Sequence, residues 1–70
     1  MRAIRYNEVN PLVNPVMADD HIFSESGQCY IVKQNGVGHY WLNHVDGTAI
    51  THPVDSQIAI CAQIDQLADL

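Results

Sequence analysis

Positive charge is what this chain has least of. Three Lys/Arg stand against eight Asp/Glu in 70 residues, a formal net charge of −5. So few cations neutralise few phosphates, which argues against nucleic-acid binding and against docking on an anionic membrane surface. Long apolar runs are missing too, and nothing approaches the roughly 18 residues of a membrane span. Arg2 and Arg5 lack the apolar stretch that would make the amino terminus an export signal. Cys29 and Cys61 lie too far apart for a C-x-x-C redox or zinc motif. With no export signal they read as two buried, reduced thiols, and the expected location is the cytoplasm. Gly36, Gly38 and Gly47 match no phosphate-binding loop and read as turn residues.

What is present is apolar material: 47% hydrophobic against 16% charged residues, the balance of one small folded domain spanning 1–70. Residues 2–9 alternate weakly and suggest a short strand. Asn10-Pro11 and Asn14-Pro15 open a loop-rich connector over 10–28, since each proline pushes its predecessor out of the helical region. Within it, 16–23 fits a helical turn or a strand equally well. Residues 29–52 read as a β-meander of three strands, 29–34, 39–45 and 48–52, joined at Asn35–Gly38 and at Asp46-Gly47. Turns of four and two residues pair Val32 with Trp41 and Asn43 with Ile50. Tyr30, Val32 and Trp41 then share one sheet face, while Ile31, Tyr40 and Leu42 share the other. Residues 55–69 suggest a helix that Asp55 caps, with Ile60, Cys61, Ile64, Leu67 and Ala68 turned to the core. The expected fold is α+β: a three- to four-stranded antiparallel meander with the carboxy-terminal helix packed on one face.

Few residues group in a way that supports chemistry. Nucleophilic catalysis needs a base beside Cys29 or Cys61 and a cleft for substrate; the sequence indicates neither, so no catalytic residues and no enzyme activity are expected. Asp19-Asp20 reads as a solvated loop. His39 and His52 fall near one end of the meander, but a metal site needs three or four convergent ligands. No metal or other cofactor is therefore expected.

The stretch Tyr40-Trp-Leu-Asn-His-Val-Asp-Gly-Thr48 resembles the second strand and following turn of WW domains. That likeness implies a three-stranded meander binding proline-rich peptides on an aromatic groove. It covers about nine residues, and the family's two signature tryptophans would fall near Tyr30 and near Ile50 or Thr51. A second likeness, of size and charge alone, is to the small acidic inhibitors of phages and mobile elements, anti-CRISPR proteins among them.

The leading expectation is a non-catalytic inhibitor or adaptor that blocks a surface of another protein, such as a basic, nucleic-acid-binding one. Asp55, Asp65 and Asp69 would supply complementary charge around Ile58, with Trp41 and Tyr30 as aromatic contacts. The plainer reading of that helix face is a solvated one. The alternatives are a peptide-binding module on an aromatic sheet face and a small metal-binding protein using His39 and His52. A homodimer through the uncovered sheet face is a further option.

Overall fold

The computed structural model describes residues 1–68. Four strands, β1 (Ala3–Arg5), β2 (His21–Phe23), β3 (Cys29–Gln34) and β4 (Tyr40–His44), form one sheet in that spatial order, and helix α1 (Gln57–Ala68) follows them. The architecture is α+β, as expected. Three of its details differ from the expectation.

First, β1 pairs with β2 in parallel, so the sheet is mixed. The expected strand over 2–9 stops at Arg5 because the Glu8 carboxylate accepts the Arg5 backbone N–H (3.1 Å), bending 6–8 into a single 3-10 turn. Residues 6–20 then cross back to the start of β2, as a parallel pair requires. The undecided stretch 16–23 ends as that strand.

Second, the register is shifted by one residue. Val32 faces Leu42, and Lys33 faces Trp41. All three hairpin turns are built alike, with a glycine as the third loop residue. Gly27, Gly38 and Gly47 have φ of 91°, 87° and 94°. Their N–H groups donate to the carbonyls of Ser24, Asn35 and His44 at 3.0, 3.2 and 3.0 Å. Each is a three-residue loop with a left-handed third position, a conformation glycine adopts without steric cost. Loops of four and two residues would have closed one residue away, and a one-residue slip turns every side chain to the other face.

Third, 48–52 is not a regular strand. The chain touches the outer edge of β4 at the isolated bridges Asn43–Ala49 and Tyr40–Val54. Thr51 Oγ1 and Leu42 carbonyl bonds (Leu42 N–H to Thr51 Oγ1, 2.9 Å; Ile50 N–H to Leu42 O, 2.8 Å) fasten it between them. That edge is thereby closed to further strand addition.

The core lies between one sheet face and the helix. Ile4, Val16, Ile22, Val32, Leu42, Ile60, Cys61 and Ile64 are buried, with Tyr40, Val54 and Leu67 packed against them. The helix starts two residues after Asp55: Ser56 Oγ accepts the Ala59 N–H (3.1 Å), so Ser56 is the cap in place of Asp55. A second tie comes from Gln57. Its side chain both accepts from the Val16 N–H (3.1 Å) and donates to the Val16 carbonyl (2.8 Å), standing in for one rung of a ladder between helix and connector.

Candidate interaction surfaces

The first surface is the outer side of α1. Packing Ile60, Cys61, Ile64 and Leu67 inward turns the positions between them outward. Asp65 and Ile58 lie on that outer side, with Asp55 exposed two residues before the helix, and Ile58 is 72% exposed. Asp69 lies outside the described residues.

Asp55 and Asp65 are two of the carboxylates that no ion pair among the described residues engages. Arg2 pairs with Asp20 at 2.7 Å and Lys33 with Asp19 at 3.0 Å. Arg5 is then the one Lys or Arg without an ion pair among the described residues, against the carboxylates of Glu8, Glu25, Asp46, Asp55, Asp65 and Asp69. The negative charge left over is therefore spread on the surface with little positive charge near it.

The second surface is the sheet face turned away from α1. The register sets Phe23 beside Cys29, His21 beside Ile31, Ile31 beside Asn43, and Lys33 beside Trp41. No helix lies over these residues among those described. Trp41 is half-buried, and its Nε1–H donates to Asn43 Oδ1 (2.8 Å), which fixes the indole on the sheet. Tyr30 is separated from it: the shifted register sends Tyr30 to the core face, where it is 5% exposed. Its hydroxyl donates to Gln28 Oε1 (2.6 Å), and its ring sits 6.3 Å from that of His44. Tyr30 thus offers almost no surface to a partner, and the expected Tyr30–Trp41 aromatic pair does not form.

A groove of about 530 Å³ opens where β1 and β2 end, lined among others by Arg5, Tyr6, Phe23, Ser24 and Glu25. Its lining combines the aromatic Tyr6 and Phe23 with the polar Arg5, Ser24 and Glu25. Elsewhere the thiols are quiet. Both cysteines are free, Cys61 buried in the core and Cys29 half-buried on the open sheet face, where full burial was expected. Burial pushes both thiols up from their ordinary value, and at Cys61 the nearby Asp65 charge adds to that. Thiols held protonated are weak nucleophiles.

His39 is half-buried in the β3–β4 loop and His52 is exposed. Among the described residues no three His, Cys, Asp or Glu side chains come together as a metal site would require.

Asp19-Asp20 does more than the sequence suggested. Asp20 is buried and takes the Arg2 guanidinium together with the Met17 N–H (2.8 Å). Asp19 has φ 68°, a left-handed conformation that aspartate tolerates better than most residues, and it pairs with Lys33. The pair is a structural clasp. Its one sequence signal was Arg2, the cation close enough to the first strand to meet it.

Compared with known proteins, the chain matches no protein-family model, no curated protein and no solved structure. The WW-like stretch is therefore a local likeness of strand and turn. The mixed four-stranded sheet and helix depart from the three-stranded meander it implied.

Proposed function

We propose that this protein works without catalysis, by binding another protein through the outer face of α1 as a stoichiometric inhibitor or adaptor. The observation that carries this reading is Ile58. It is a large apolar side chain standing in water, flanked by the exposed carboxylates of Asp55 and Asp65, in a molecule whose cations are mostly engaged internally. An apolar anchor within a charged rim is the composition of a protein interface. The fitting partner is a basic surface with an apolar recess, which includes surfaces that bind nucleic acid. Free thiols suit a reducing compartment, so the cytoplasm is the proposed location. Among the described residues, no helix is long and apolar enough to cross a membrane. Small acidic inhibitors of phages and mobile elements act in this manner, and the same role is proposed here.

The test is affinity capture with wild type, Ile58→Asp and Asp55→Asn/Asp65→Asn. All three positions are exposed, so the variants keep the fold. A partner held by wild type and lost by both variants supports the reading. One held equally by all three refutes it.

A second reading rests on the open sheet face. Phe23, Ile31 and Trp41 are only partly covered there, a surface suited to an apolar peptide. It predicts that Trp41 emission shifts on binding, and that binding survives Asp55→Asn/Asp65→Asn.

A further inference from the structure

The groove beyond β1 and β2 lies where two parallel strands end side by side. The register sets Arg5 against Phe23, and burying Ile4 and Ile22 toward the helix turns both side chains to the open face. Crevices at the carboxyl ends of parallel strands are where open sheets hold small ligands. From here the chain leaves by two exits, the 3-10 turn that carries Tyr6 and the loop over 24–28 that carries Glu25. Both exits are braced. Glu8 accepts the Arg5 N–H (3.1 Å), Ser24 Oγ accepts the Gln28 N–H (3.0 Å), and the Gly27 N–H donates to the Ser24 carbonyl (3.0 Å). A long bond from the Tyr6 hydroxyl to Glu25 Oε2 (3.5 Å) joins the two walls. The enclosed space of about 530 Å³ is that of a small-molecule site, which spans roughly 300–1,000 Å³.

Three kinds of group converge on this space. Arg5 brings a guanidinium that no carboxylate among the described residues pairs with. Glu25 brings a carboxylate that is likewise outside any ion pair there, and Tyr6 and Phe23 bring aromatic surface. A guanidinium takes a carboxylate through two parallel N–H bonds, and a carboxylate accepts readily from an ammonium. Opposite charges beside aromatic surface therefore complement a molecule that itself carries both charges and a ring.

We propose that this groove binds a free aromatic α-amino acid, its carboxylate on Arg5, its ammonium on Glu25 and its ring against Phe23 and Tyr6. Net charge selects this class. A zwitterion adds no charge to a molecule of −5, whereas a nucleotide or other phosphate adds negative charge beside Glu25 with one guanidinium to offset it. An uncharged apolar molecule would cover both charges and leave each without a partner. The inference does not rest on the helix-face reading, since none of the groove's lining lies on α1.

Calorimetry and amide chemical-shift mapping of the full chain with L-phenylalanine test it. Saturable shifts are expected at residues 5–7 and 23–27. Phenylacetate lacks the ammonium, phenethylamine the carboxylate and L-alanine the ring, and each should bind at least about tenfold more weakly. Arg5→Gln and Glu25→Gln should each weaken L-phenylalanine by about the same factor. Both side chains are exposed, so an unchanged circular-dichroism melt confirms the fold. Asp46→Asn makes the same one-unit change of charge outside the lining and should leave binding unaltered. No saturable shift at these residues, or an affinity that survives Arg5→Gln or Glu25→Gln, overturns the proposal. So does phenethylamine binding as tightly as L-phenylalanine, or inorganic phosphate binding more tightly, which would assign Arg5 to a simple anion.

Discussion

At the scale of single residues, much of the fold hangs on polar side chains that bridge distant segments. Asp20 holds Arg2 and the Met17 N–H from a buried position, so Asp20→Ala leaves a guanidinium and an amide without their acceptor. The expected cost is about 2 kcal/mol in urea unfolding, less than for a fully buried pair because Arg2 is partly in water. A loss under about 0.5 kcal/mol would contradict the clasp. The Asp46 carboxyl is held below its ordinary value by the Thr48 N–H, helped by the Thr48 hydroxyl and by His44. A depressed carboxylate contributes stability above its unfolded value of 3.8, and the contribution is lost as pH falls through the folded value. Asp46→Ala should therefore lower stability in the neutral region and flatten the acid limb, the variant converging with wild type at low pH. An acid limb identical to wild type would contradict this. These bridges were hard to find from sequence, because Asp20 and Gln57 meet their partners only once the chain has crossed back on itself.

At the scale of elements, the existence of β3, β4 and α1 was legible and their phase was not. The β-branched and aromatic residues of 29–34 and 40–44 marked the strands, and the spacing of Ile60, Ile64 and Leu67 marked the inner helix face. What escaped was one residue per turn. Gly27, Gly38 and Gly47 each stand three residues after the residue whose carbonyl their N–H reaches, and that spacing was the available signal. Reading Asn35–Gly38 as a complete four-residue turn moved Trp41 onto the face of Tyr30. Gly38→Ala should cost about 1 kcal/mol, since nothing crowds the new Cβ and only the backbone objects. Gly36→Ala, equally uncrowded but without positive φ, should be within about 0.5 kcal/mol of wild type. Equal costs at the two positions would contradict the turn assignment. The helix cap offers a parallel contrast: Ser56→Ala should cost about 1 kcal/mol and Asp55→Ala clearly less. Thermal unfolding of the two variants checks it.

At the scale of the whole molecule, the decisive feature is how charge is distributed. Two of three cations are bound to Asp19 and Asp20, so the remaining carboxylates act on the surroundings with little internal compensation. The acidic balance and the outward place of Ile58 were legible from composition and helical spacing. The engagement of Arg2 and Lys33 was not, since it depends on the crossover from β1 to β2. Binding through this surface should combine two separable contributions. Ile58→Ser should remove an apolar anchor worth about 2 kcal/mol, whatever the salt concentration. The carboxylates should act by long-range attraction that salt screens. The central claim is therefore tested most directly by the affinity of the captured partner for wild type and for Asp55→Asn/Asp65→Asn across a series of salt concentrations. Wild type should weaken steadily as salt rises, and the double variant should start roughly tenfold weaker with a visibly shallower slope. Parallel slopes and equal affinities would show that the outer face of α1 is solvated surface and that the partner binds elsewhere.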